Sequence, residues 1–139
     1  LNDVLIAHKN PAAMTRYELN IDENQILNEK GEKGLRSSGL LISTAAGSTA
    51  WMYEMGGIIM PLDSRFTMQY HERDQRDTIF GLAESEIKIR SLTREGFMYV
   101  DGEHLKYPFG LGSEIVVSVG KPLNIVGDLE EKRKKFLQK

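Results

Sequence analysis

The sequence predicts a mainly β domain: a two-layer β-sandwich-like fold with one short helix after a Gly-Ser-Thr loop and a second helix at the C-terminus. Two observations carry this. Apolar residues alternate with polar ones at period two more often than they recur at helical spacing. Turn-forming residues interrupt the chain at short intervals, as they do between strands. At 139 residues, the chain is of ordinary single-domain size and can bury one core without staples. With no internal repeat and no long linker, residues 1–139 are expected to form one domain.

The elements follow in order. "VLIAH" (Val4 to His8) is a compact apolar run preceded by the polar pair Asn2-Asp3. "TRYELNI" places Tyr17, Leu19 and Ile21 on one side and Arg16, Glu18 and Asn20 on the other, the alternation of a half-buried strand. "DENQILNEKGEKG" is polar with two glycines and reads as a hairpin and an exposed loop. Leu40, Leu41 and Ile42 form a short buried strand, and from Ser48 onward a helix can form with Trp51 and Met55 on one face. "RFTMQYHE", "SEIKIRS", "GFMYVDGEHLKYPF" and "SEIVVSVGKPLNIVG" supply four or five further strands. Asp101-Gly102 marks a two-residue hairpin turn, because that pair accepts positive φ. Pro122 sits at a strand start, where its missing N–H is harmless. "DLEEKRKKFLQK" holds helix formers, Asp128 as a cap and acids ahead of bases, as the helix dipole prefers.

Composition narrows the function classes. Hydrophobic residues make up 40% and charged residues 27%, ordinary globular values. No apolar run is long enough for a membrane helix, so no membrane partner is expected. A net charge of −2 gives no broad basic field, and nucleic acid is not expected either. Cysteine is absent, which removes disulfides and thiolate chemistry and fits a reducing compartment such as the cytoplasm; mitochondria and other organelles stay open. The chain starts at Leu1 on "LNDVLIA", too short and acidic for a signal peptide, and is expected to be a piece of a longer protein.

The candidate chemistry gathers at two places. Ser43 to Ala50 is a loop without bulk between a strand and a helix start, which suits an anionic or polar ligand group. A tight strand-to-helix crossing needs the same small residues, and both readings stand. The loop has neither the lysine of a P-loop nor the spacing of a Rossmann fingerprint, and Ser48 lacks the second glycine of a nucleophile elbow. Asn2-Asp3 offers an amide and a carboxylate that can recognise a base edge or a ribose diol, although such pairs more often serve as turns. Asp101 and Glu103 would line a pocket if their hairpin faces one. His8, His71 and His104 are scattered, and no metal site is expected. Ser85 to Lys88 spells S-x-x-K without its companion motifs, a chance match.

"LNDV" resembles the Asn-Glu/Asp motif of NAD kinases, which phosphorylate the adenosine-ribose 2′-hydroxyl of NAD or NADH. "SSGLLISTAAGSTAWMYEMGG" resembles that family's "DGL-x-x-ST-x-x-GSTAY…GG" signature, and "YVDGEHL" with "GSEIVVSVGKPLNIV" is similar to its closing strands. The likeness spans nearly the whole chain and is to the family's C-terminal domain. It implies a domain that binds most of the dinucleotide, with Asn2 on the adenine side, Asp3 on a ribose diol, Thr49 and Ala50 against the adenosine, and Ser38, Ser48 and Trp51 also among the residues that bind it. Trp51 stands where the family usually has Tyr, so stacking or steric shaping must replace the phenolic hydroxyl. Ser38 replaces the usual Asp before "GL", and Ala45 and Ala46 replace a frequent Pro-Thr pair; this version looks most like plant-type NADH kinases. The Gly-Gly-Asp-Gly motif is missing, which implies that the catalytic groups lie in an N-terminal α/β domain outside this sequence. ATP or polyphosphate with Mg2+ would act through that domain, and the chain alone is expected to be inactive. The resemblance also implies a homo-oligomer, dimer or tetramer. The alternative is a non-catalytic NAD(P)-binding regulatory or assembly β-domain.

Overall fold

The computed structural model describes residues 2–63, 66–72, 78–82, 85–120, 131, 132, 134, 135 and 138, with the backbone alone for 66–72 and 78–82. Among these residues lie β1 (Asp3–His8), β2 (Thr15–Ile21), β3 (Asn24–Gln25), β4 (Leu35–Ser37), β5 (Leu40–Thr44), a 3-10 turn (Ala46–Thr49), α1 (Trp51–Glu54), β6 (Phe66–Glu72), β7 (Thr78–Leu82), β8 (Ile87–Ser91), β9 (Gly96–Val100), β10 (Leu105–Pro108) and β11 (Glu114–Val117). They build a six-stranded sheet in the order β10-β9-β1-β5-β6-β7 and a five-stranded sheet in which β11-β8-β2-β3 run side by side and β4 also pairs with β2. Every pairing is antiparallel. The mainly β, two-layer expectation is met.

The main core lies between the sheets. Ile6, Leu40 and Ile42 of the larger sheet meet Tyr17, Leu19, Ile87 and Ile89 of the smaller one, with Leu35 and Phe109 closing the cluster. Leu19 and Leu40 are completely buried. The alternation read in "TRYELNI" points these residues inward, while Arg16 stays exposed. β1 and β5 differ because both their faces are covered. Leu5, Ala7 and Leu41 pack on the outer face of the larger sheet beneath Met52, with Trp51, Met55 and Tyr99 around them. That double burial is why "VLIA" and "LLI" are continuous apolar runs rather than alternating ones.

Several local expectations are corrected. The helix expected from Ser48 onward is a 3-10 turn to Thr49 and then a single α-turn from Trp51. Its buried residue is Met52, flanked by Trp51 and Met55, and Tyr53 faces solvent. The Asp101-Gly102 hairpin has the expected positive φ at both residues, 51° and 101°. Its register pairs Val100 with Leu105, however, so the loop has four residues and includes Glu103 and His104. The two-residue turn occurs instead at Asp22-Glu23, with φ of 50° and 67°. Ile21 pairs directly with Asn24 across it. The strand expected to continue through Val119 ends at Val117. β4 and β7 were not foreseen. Pro122 and Asp128 lie outside the described residues; Glu131, Lys132, Lys134 and Lys135 are helical, in keeping with the expected C-terminal helix.

Candidate functional site

The site begins with the strand pairing that places the N-terminal polar pair beside the small-residue loop. Asp3 lies opposite Ser43 across the β1–β5 ladder, and the Thr44 N–H donates to the Asn2 carbonyl at 3.0 Å. The Thr44 hydroxyl accepts from the Gly47 N–H at 3.1 Å, turning the chain into the 3-10 helix. A Cβ on Gly47 would collide with the backbone carbonyl of Asn2. Glycine is therefore required at this crossing by close backbone approach. The tight-crossing reading of the loop is met, and the crossing carries the helix start to the cleft.

A cleft of about 220 Å³ opens on the outer face of the larger sheet, lined by Asp3, Leu5, Trp51, Tyr99, Gly102 and Glu103. Leu5 is paired with Tyr99 across β1 and β9, so both side chains project to the same face. Trp51, at the start of α1, supplies the other wall. The two aromatic residues and Leu5 give the cleft an apolar body. Asp3 and Glu103 give it an acidic end.

Asp3 is the unusual member. It is only 8% exposed, and among the described residues no hydrogen-bond donor reaches its carboxylate. Burial, and secondarily the nearby Asp101 charge, holds its carboxyl above the ordinary value of 3.8. Asp101 plays a different part. Its carboxylate accepts the backbone N–H groups of Asn2 and Asp3, while its own N–H donates to the Asp3 carbonyl at 3.0 Å. Asp101 thus ties the β9–β10 loop to the start of β1 and holds Glu103 at the mouth of the cleft.

The remaining candidates divide between scaffold and surroundings. Ser48 is fully buried; its hydroxyl donates to the Ala45 carbonyl at 2.7 Å and accepts from the Met60 N–H at 2.8 Å. Its side chain is spent on fixing the loop. Thr49 and Ala50 are half-buried directly before Trp51, and Asn2 is exposed. Ser38 precedes Leu40, which pairs with Ile6. That is the end of the larger sheet remote from Asp3, so a single chain does not bring Ser38 to the cleft. Tyr99 was missed: nothing in "GFMYV" distinguishes it until the β1–β9 register sets it beside Leu5. Among the described residues no three His, Asp or Glu side chains converge as a metal site, and no helix is long and apolar enough to cross a membrane.

The fold is an antiparallel β-sandwich domain that carries an aromatic-walled cleft with a buried acid. Comparison with known proteins gives the lineage: the chain is a homologue of NAD and NADH kinases over most of its length and corresponds to a part of them, consistent with their C-terminal domain. It is 32% identical over 136 residues to a probable NADH kinase of Oryza sativa subsp. japonica, covering 88% of this chain and 40% of the relative. It is 35% identical over 96 residues to an Arabidopsis thaliana NADH kinase, covering 63% of this chain and 30% of the relative. A bifunctional NADP phosphatase/NAD kinase of Methanococcus maripaludis is 32% identical over 121 residues, covering 84% of this chain and 20% of the relative. The chain thus spans well under half the length of these curated relatives. No family model matches it. The fold matches that of yeast NADH kinase complexed with NADH (TM-score 0.69, 21% identity, 84% of this chain and 33% of the other). It also matches an NAD kinase from Archaeoglobus fulgidus in complex with ATP (TM-score 0.71, 19% identity, 87% of this chain and 45% of the other).

Proposed function

We propose that this chain is the dinucleotide-binding portion of an NAD or NADH kinase, a phosphotransferase that converts NAD(H) to NADP(H) by phosphorylating the adenosine-ribose 2′-hydroxyl. The observation that carries the reading is the Asp3 carboxylate, buried without a donor among the described residues at the end of an aromatic-walled cleft. A buried acid in this condition is costly unless something supplies donors, and a ribose diol supplies two. Trp51 and Tyr99 are placed to flank a planar ring, whose stacking is worth about 1–3 kcal/mol per base. The cleft, at about 220 Å³, is smaller than the roughly 300–1,000 Å³ of a typical ligand pocket. It therefore takes one nucleoside end of a dinucleotide rather than the whole.

ATP or polyphosphate, with its Mg2+, belongs in this proposal to the portion of the relatives that the chain does not span, together with the group that activates the 2′-hydroxyl. The reading includes a homo-oligomer, dimer or tetramer, supported by large apolar residues left about half exposed on two edge strands and the loop between them: Leu105 and Tyr107 on β10, Leu111 after it and Val116 on β11. Assembly would also give Ser38 a route to the cleft of a second copy. A cytoplasmic location is part of the proposal, resting on the cysteine-free sequence.

Trp51 is the only tryptophan in the chain, which makes the test direct. Titration with NAD is expected to quench its emission saturably, and NADH to receive energy from it. An unchanged spectrum with both ligands at millimolar concentration overturns the reading and favours a domain whose loop only packs.

A further inference from the structure

The cleft has a cationic neighbour that its lining does not include. Lys106 lies opposite Tyr99 in the β9–β10 ladder, and its Nζ sits 4.1 Å from the centroid of the Phe97 ring and 5.9 Å from that of Tyr99. Phe97 and Tyr99 are themselves in tilted contact, 6.4 Å between centroids. Among the described residues no carboxylate pairs with Lys106. Asp3 stands two residues along the strands and two strands across from Lys106, Glu103 precedes it by three residues in the loop of the same hairpin, and Asp101 is engaged by the backbone of Asn2 and Asp3. An exposed ammonium held on two aromatic faces has donors free to bond an anion.

We propose that Lys106 is a specificity residue of the cleft that recognises a phosphate carried by the bound nucleoside. This rests on the reading of the cleft as a nucleoside site. The geometry gives the ligand its direction. Asp3 and Lys106 differ by two residues along the strands and two strand spacings across the sheet, which amounts to roughly 12 Å between their backbones. With the ammonium turned from Phe97 toward Tyr99, that span suits a nucleoside whose diol meets the carboxylate and whose 5′-phosphate meets the ammonium. Tyr99 lies between them as the platform. The ammonium moves from Phe97 to the phosphate by rotation of its own stem, without backbone change. One charged end at each side also excludes ligands of the opposite orientation.

The test measures adenosine, ADP and NAD binding through Trp51 emission in the 139-residue chain, with circular dichroism confirming the fold of each variant. Lys106→Met keeps the length of the stem and its contact with the rings; Lys106→Arg keeps the charge. The unmodified chain is expected to prefer ADP and NAD to adenosine. Lys106→Met should weaken ADP and NAD by about tenfold or more, the value of a charged hydrogen bond, and leave adenosine unchanged. Lys106→Arg should restore the preference. A purely structural lysine would move all three affinities together, and that result, or an unaltered ADP-to-adenosine ratio in Lys106→Met, overturns the proposal while the cleft reading stands. If the unmodified chain binds none of the three ligands, the cleft reading fails and this proposal fails with it.

Discussion

Asp3 shows how one residue can oppose stability and serve binding. Its carboxyl titrates above 3.8 in the folded chain, chiefly because burial disfavours the charge and further because Asp101 is near. Below pH 3.8 the group is protonated folded and unfolded alike and costs nothing. As pH rises through its folded value, the folded state gives up the proton less readily than the unfolded one, and stability is lost. Asp3→Asn is therefore expected to raise the Tm at pH 7 while leaving it unchanged near pH 3. It should also weaken NAD binding by about 1–3 kcal/mol, one charged hydrogen-bonded group. Thermal melts at both pH values and one titration check this; a variant less stable than the parent at pH 7 would show that Asp3 has a protein partner. Asp22 is the contrast, an acid whose carboxyl is lowered by the Glu86 backbone N–H and the Ser85 hydroxyl, both at 2.8 Å. Its contribution is present above 3.8 and fades as pH falls.

At the scale of elements, the site depends on the crossing from β5 to α1. Gly47 is pressed against the Asn2 carbonyl, so Gly47→Ala must separate the crossing from β1 or strain both. Overpacking of this kind typically costs about 1–3 kcal/mol, and here backbone rather than a movable side chain is in the way. The expected result is a lower urea midpoint together with loss of the Trp51 response to NAD, since α1 carries that wall. A midpoint within error of the parent would mean that the close approach does not govern the crossing. Much at this scale was readable in the sequence. The continuous runs of β1 and β5 marked a compact apolar segment and a buried strand, whose burial on both faces the structure adds, and the period-two pattern of β2 and β8 marked strands. β4 was missed because three residues, Leu35 to Ser37, show too little alternation to register. Asp101-Gly102 signalled positive φ but not loop length, which the pairing of Val100 with Leu105 sets. The same limit hid Tyr99: Asp3 and Trp51 belong to recognisable stretches, whereas the value of Tyr99 comes only from sitting beside Leu5 across a ladder between distant segments.

For the whole molecule, the larger sheet separates two jobs between its faces. Its inner face belongs to the core of Ile6, Tyr17, Leu19, Leu40, Ile42 and Ile89, and its outer face carries the smaller cluster of Leu5, Ala7, Leu41 and Met52 that supports the cleft. Stability and binding should therefore respond to different substitutions. Leu19 is fully buried between the sheets and belongs to the strand that joins β3, β4 and β8, so Leu19→Ala leaves a cavity where the neighbours cannot easily collapse. The expected cost is about 2–5 kcal/mol, a large part of the roughly 5–15 kcal/mol that hold an ordinary domain together. Leu5→Ala removes a side chain that faces the cleft, where solvent or a ligand can fill part of the space, and should cost less. Its effect on the Kd for NAD should be larger, because Leu5 underlies both aromatic walls. Urea unfolding with parallel ligand titration of the two variants measures both quantities. The division predicts a crossed result, Leu19→Ala lowering the midpoint with the Kd unchanged at low urea and Leu5→Ala raising the Kd with the smaller midpoint loss. If both variants lost stability and affinity in the same proportion, the two faces of the sheet would be one cooperative unit and the separation would be wrong.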